Sequence, residues 1–170
     1  MMRDEYFFEI LGLDENFDLD MNILEEQYLK LISKYNPDFA ISFRDKIGYI
    51  DLSSKINEAY KSLKSDYSRA SHMLKIRGID VEDENKTRGA LDENFYNQIF
   101  VLNEELGDLK IFEELDLFMK KVTKERKNLT KAISDGFKND NIENVMLITL
   151  KLKYYDNLIS LTENKISKCF

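Results

Sequence analysis

The stretch LDMNILEEQYLKLISKYNPD, residues 19–38, decides how this chain folds. Met21, Leu24, Tyr28, Leu31, Ile32 and Tyr35 recur at three- and four-residue steps, the period of an amphipathic helix. They predict a helix from about Leu19 to Lys34. Asp18 and Asp20 flank its start, where carboxylates suit the positive end of the helix dipole and accept from free amides. Pro37, the one proline in 170 residues, ends it, because the residue before a proline is pushed out of helical geometry. Read alone, Lys34-Tyr35-Asn36-Pro37-Asp38 is a helix stop followed by a turn.

Upstream, Tyr6, Phe7, Ile10 and Leu11 make a short helical turn that Gly12 closes. Downstream, a loop of about a dozen residues runs from Asn36 to Gly48. A second amphipathic helix follows from Tyr49 to Lys64, with Leu52, Ile56, Ala59, Tyr60 and Leu63 on one face. A shorter helix from Asp66 to Ile76 stops at Gly78. Residues 1–77 therefore read as a small helical domain. The acid-rich segment Ile79 to Gly89 has little apolar periodicity, so residues 78–90 read as a linker. Residues 91–170 carry three helices, about 91–107, 110–135 and 140–168, separated at Gly107 and by a turn over Gly136 to Asp140. Short connections make sequential helices antiparallel neighbours, which predicts a three-helix bundle. The fold class is all-α.

Composition excludes several chemistries. The chain has 25 Lys and Arg against 32 Asp and Glu, a net charge of −7. That balance argues against a nucleic-acid partner held by overall positive charge. The run Lys120, Lys121, Lys124, Arg126, Lys127 and Lys131 reads as a solvated face, with Glu113, Glu114 and Asp116 at the other end of the same helix. A single cysteine, Cys169, leaves no internal disulfide and no zinc site of several Cys or His ligands. A Ser-His-Asp or Cys-His group would have to use His72, the one histidine. His72 is expected at the surface or half-buried in a structural role. The acid pairs Asp4/Glu5, Glu25/Glu26, Glu104/Glu105 and Glu113/Glu114 are adjacent in sequence and diverge on a helix, so they form no acid/base dyad. No metal or cofactor is expected. Met1-Met2-Arg3-Asp4-Glu5 lacks the basic start and apolar core of a secretory signal. No run approaches the roughly 18 apolar residues that span a bilayer. The expectation is a cytoplasmic protein with no membrane partner.

The order of the motifs carries more than any one of them. Tyr6-Phe7-Phe8-Glu9-Ile10-Leu11-Gly12-Leu13 precedes the helix that ends in Tyr35-Asn36-Pro37-Asp38. After the loop come Ile56-Asn57-Glu58-Ala59-Tyr60-Lys61-Ser62-Leu63 and then Tyr67-Ser68-Arg69-Ala70. This order resembles a J-domain, in which a similar start, a His-Pro-Asp tripeptide and a similar helix recur. The C-terminal half, with Leu102-Asn103-Glu104-Glu105-Leu106 and Leu152-Lys153-Tyr154-Tyr155-Asp156, is similar to one J-domain subfamily, the HscB co-chaperones of iron–sulfur cluster assembly. The resemblance runs over essentially the whole chain.

The resemblance implies two partners and no catalytic site. A J-domain docks on a DnaK-type chaperone, here an HscA-like one, and stimulates its ATPase. The residues implied are Lys30, Lys34, Asn36, Pro37 and Asp38. Lys30 and Lys34 lie four apart, on one helix face. Asp38 offers a charge-assisted acceptor, and Pro37 fixes the local backbone. The chain departs from the pattern at Asn36, where the family has His, and at Phe39, where it has Lys. Asparagine donates and accepts hydrogen bonds but carries no charge. Glu25 and Glu26 dilute the positive face. The second implied partner is the IscU-like scaffold protein on which clusters are built, held by Tyr96, Asn97, Phe100, Val101 and Glu104 with Tyr154 of the last helix. Tyr96, Phe100 and Glu104 follow i, i+4, i+8, and Asn97, Val101 and Asp108 line the adjacent stripe. Asn97 and Val101 stand where family members more often have an apolar residue and an acid. Aromatic residues at helical spacing also suit a bundle core, so Phe100 and Tyr154 have two readings. The overall expectation is a co-chaperone. Its alternatives are a J-like protein that binds the scaffold without driving the ATPase, and a small helical enzyme using carboxylates and basic residues of the C-terminal bundle.

Overall fold

The computed structural model describes residues 6–169. The Met1–Glu5 reading and the Asp4/Glu5 pair lie outside them. Among the described residues the chain is helical with no strand, in the order α1 (Phe7–Leu11), α2 (Met21–Lys34), a single 3-10 turn (Pro37–Phe39), α3 (Phe43–Lys64), α4 (Asp66–Ile76), α5 (Glu84–Thr87), α6 (Glu93–Asp108), α7 (Phe112–Lys138) and α8 (Ile142–Ile166). The helices group into two compact units that divide between Gly78 and Ile79.

In the first unit α2 and α3 form an antiparallel hairpin. The pairs run in opposite directions along the two helices. Tyr60 donates to the Glu25 carboxylate, Tyr28 donates to Asn57 at 2.9 Å, and Tyr35 meets Tyr49 edge-on at 5.6 Å. Tyr28 and Tyr60 stack at 4.0 Å between them. Leu24 from α2 and Ile56, Ala59 and Leu63 from α3 are buried with Phe8, Leu11 and Phe17. Arg69 is buried too, and its charge is met on every side. Nε donates to the Phe17 carbonyl at 2.8 Å, and the other nitrogens reach the Leu63 carbonyl at 2.5 Å and Asp66 at 2.6 Å. A buried cation tolerates this position because hydrogen bonds replace its hydration.

Several expectations change here. α3 begins at Phe43, so the loop after Pro37 is shorter than the sequence suggested and Gly48 lies inside the helix. Ser42 caps it, accepting the Asp45 amide at 3.1 Å. Leu52 is exposed, off the buried face. His72 is buried, not at the surface. Its Nε2 accepts the Phe7 amide at 3.1 Å, at the N-terminus of α1, and its ring stacks on Phe7 at 4.2 Å. The sole histidine thus ties α4 to α1.

The second unit is a three-helix bundle. Arg126 of α7 pairs with Asp156 of α8 at 2.5 Å, and Gly136 faces Val145, so α7 and α8 run antiparallel. α6 runs parallel to α8, with Phe95 against Tyr154 near one end and Lys165 at the other. The Lys165 ammonium donates to the carbonyls of Leu106, Gly107 and Leu109 at 2.6, 2.8 and 3.0 Å, closing the C-terminus of α6. α6 ends at Asp108, one residue past the Gly107 break that the sequence suggested, whereas Gly136 is not part of a break but sits inside α7. Gly136 is a close-approach residue. A Cβ there would stand 2.5 Å from Val145 Cγ2. The turn is made by Asn139 and Asp140, the latter at φ 54. The segment read as a linker carries α5, and Val81 within it is buried in this unit.

Candidate functional site

The turn after α2 is built by asparagine chemistry. Asn36 leaves helical geometry at φ −67, ψ 121, and its Oδ1 accepts the Asp38 amide at 2.9 Å. The Phe39 amide returns to the Asn36 carbonyl at 3.0 Å. Pro37 sits at the first position of the 3-10 turn, where its missing N–H goes unneeded. The turn packs against α3. Asn36 is therefore a cap whose oxygen is committed within the turn, while the Asp38 carboxylate is exposed.

Lys30 and Lys34 are both exposed. Lys34 Nζ lies 5.0 Å over the Tyr35 ring, which Tyr49 braces from α3. Glu25 does not dilute this face as the sequence suggested. Tyr60 draws its carboxylate to α3, where Lys64 donates to the same phenol at 2.8 Å. The hydrogen bond to Tyr60, then the neighbouring charges, raise the Lys64 ammonium above its ordinary pKa. Glu26 alone of the pair stays exposed.

Sequence reasoning missed the next feature. Phe39, Ile41, Phe43, Ile47 and Ile50 are 70, 100, 81, 56 and 52% exposed. Placing residues 36–48 in a loop hid the pattern, since Phe43, Ile47 and Ile50 form a stripe only on a helix. The available signal was five large apolar residues within twelve, none in register with Ile56, Ala59 and Leu63.

The C-terminal candidates lie on α6. Phe95, Ile99, Leu102 and Leu106 face the bundle core. Tyr96, Phe100 and Val101 face out at 42, 62 and 61% exposure, with Asn97, Glu104 and Asp108 exposed among them. For Phe100 the core reading is therefore wrong. Tyr154 is half-buried, between the bundle core and the outer surface of α6. It lies edge-on to Phe95 at 5.5 Å and to Tyr96 at 6.0 Å, so α8 contributes to the edge of the α6 surface. Burial, then the hydrogen bond with Tyr96, raise the Tyr154 phenol above its ordinary pKa. The two tyrosines also wall a cleft of about 380 Å³ that Glu82, Arg88, Leu91 and Lys153 help to line. Three residues of the basic run of α7 pair with carboxylates, Lys120 with Asp116 at 2.6 Å, Lys121 with Glu105 at 2.7 Å and Arg126 with Asp156. Among the described residues no group of three or more His, Cys, Asp or Glu is placed to hold a metal, and no helix is long and apolar enough to cross a membrane.

Residues 91–162 match the family model of the HSCB C-terminal oligomerisation domain. The co-chaperone HscB of Proteus mirabilis is 37% identical over 106 residues, which cover 61% of this chain and 60% of that protein. The HscB homologue of Photobacterium profundum is 32% identical over 157 residues, covering 89% of this chain and 91% of that protein. The chain belongs to the HscB co-chaperone family. The human relative, named an iron–sulfur cluster co-chaperone, is 28% identical over 156 residues, and the match spans 65% of its length. The crystal structure of human HscB superposes with a TM-score of 0.88 at 26% identity, covering 96% of this chain and 82% of that one. The helical J-domain architecture is thus that of the family.

Proposed function

We propose that this chain is a co-chaperone of iron–sulfur cluster assembly. In this reading the outer face of α6 holds an IscU-like scaffold protein, and the Asn36–Asp38 turn docks on an HscA-like DnaK-type chaperone and stimulates its ATPase. The observation that carries the reading is the stripe of Tyr96, Phe100 and Glu104. It is aromatic, exposed and rimmed by acids, on a helix whose opposite face is core. Exposed aromatic clusters of this kind are anchors for a protein partner. Tyr96, Asn97, Phe100, Val101, Glu104 and Tyr154 are the scaffold-facing residues, and Lys30, Lys34, Asn36, Pro37 and Asp38 the chaperone-facing ones. The chain supplies no catalytic group; the chemistry it changes is its partner's ATP hydrolysis.

One observation favours a second reading, in which the chain binds scaffold without driving the ATPase. Asn36 replaces the family histidine and its oxygen is already spent on the Asp38 amide. A steady-state ATPase assay with the cognate chaperone, with and without scaffold, separates the two. Stimulation by this chain that Asp38→Asn abolishes supports the first reading. No stimulation at saturating co-chaperone, with scaffold binding intact, establishes the second.

A further inference from the structure

We propose that Phe39, Ile41, Phe43, Ile47 and Ile50 extend the chaperone-docking surface, and that they seat against an apolar strip on the DnaK-type partner beside the site of the Asn36–Asp38 turn. The inference rests on the function proposed above and goes further. It makes apolar burial, rather than charge, the main source of docking affinity in this chain.

The strip and the turn are one continuous stretch of chain. Phe39 ends the 3-10 turn that Pro37 begins, and Phe43 opens α3 four residues later. Phe43, Ile47 and Ile50 share one stripe of α3 by their i, i+4, i+7 spacing, across the helix from buried Ile56, Ala59 and Leu63. Their combined exposed side-chain area is roughly 500 Å², more than single scattered apolar residues require. Charge is nearly balanced within the strip. Arg44 and Lys46 stand against Asp45, whose carboxylate also accepts from Ser42 at 2.6 Å.

The same area argues against a second copy of this chain as the occupant. A stable dimer buries about 800 Å² per partner, which the strip alone does not reach. Joined to the Asn36–Asp38 turn and the Lys30–Lys34 face, it forms a surface of ordinary interface size with an apolar centre and a charged rim. Phe39, 70% exposed at the end of the turn, joins the strip to Asp38, and its ring adds apolar contact that salt does not screen.

The test uses the full chain and its cognate chaperone, reading ATPase stimulation against co-chaperone concentration. The parent's half-maximal concentration should change less than about threefold between about 50 and 500 mM KCl, because screening acts on exposed charges and not on apolar burial. The double variant Phe43→Ser/Ile47→Ser should raise that concentration at least about tenfold while keeping the maximal stimulation. Ile41→Ser, outside any helix, should act in the same direction and separates docking from α3 stability. Asp38→Asn should instead lower the maximum. If Asp38→Asn is inactive while the strip variants match the parent, the inference fails and the proposed function stands. If the parent neither binds nor stimulates the chaperone, both fail. Loss of self-association or of binding to anionic vesicles in the strip variants, with chaperone docking unchanged, assigns the strip elsewhere and overturns the inference.

Discussion

Phe100→Ala tests the proposed scaffold-binding face with a magnitude that the structure supplies. The ring is 62% exposed on the outer side of α6. A phenylalanine buries about 200 Å², so roughly 100 Å² of accessible ring is lost beyond the Cβ that alanine keeps. At about 25 cal/mol per Å² that area is worth at most ~2.5 kcal/mol. Interfaces return only part of such a figure, which brings the expected loss to about 1.5–2 kcal/mol, a Kd roughly 10- to 30-fold higher. The folded chain should hardly respond. Phe100 stands outside the buried core, and alanine is the better helix former by about 0.5 kcal/mol. Titration calorimetry of the full chain against an IscU-like scaffold gives the Kd, and urea denaturation gives the stability. Gln98→Ala is the control, because Gln98 is exposed across the helix from Phe100. Unchanged affinity in Phe100→Ala would refute the stripe as the docking face. An equal loss in Gln98→Ala would show that helix integrity, not the ring, had been measured.

Other outcomes follow from single contacts. Gly136→Ala should destabilise the bundle by about 1–2 kcal/mol despite alanine's helix propensity, because its Cβ meets Val145 Cγ2 at 2.5 Å. Val145→Ala should recover about 1 kcal/mol of that in the double variant, and strict additivity in denaturant melts would contradict the contact. Asn36→His should raise maximal ATPase stimulation without moving the half-maximal concentration; no rise would show that the amide already serves. Burial raises the Tyr154 and Tyr155 phenols, helped by Tyr96 and by the charge of Glu125 respectively. A raised pKa means stability that is intact below the ordinary tyrosine value of about 10 and lost as pH climbs through the folded values. The unfolding midpoint should therefore fall in alkali, and fall less steeply in Tyr154→Phe.

Local signals carried most of the helical plan. α4 runs from Asp66 to Ile76 as expected because Ser65 caps its start and Gly78 adopts φ 83 beyond its end. The start of α3 was hidden because Phe43, Ile47 and Ile50 do not face the core, so apolar period carries no information about burial there. Gly136 read as a break because glycine's two uses, turning and close approach, look alike until a neighbour such as Val145 is placed. His72 was misjudged for a related reason. Its partner, the Phe7 amide, is 65 residues away. On α6 the outward and inward stripes were legible from spacing. The resemblance put Tyr154 with Tyr96, but their edge-on contact at 6.0 Å was not legible, since it depends on how far α8 is shifted along α6.

The cap at Asn36 has a consequence for how the turn responds to its surroundings. A histidine at that position changes charge between about pH 5 and 8, whereas an asparagine side chain has no proton to gain or lose there. The bond from the Asp38 amide to Oδ1 is therefore the same on both sides of neutrality. In this chain the shape and charge of residue 36 are constants, and acidification cannot be read at that point.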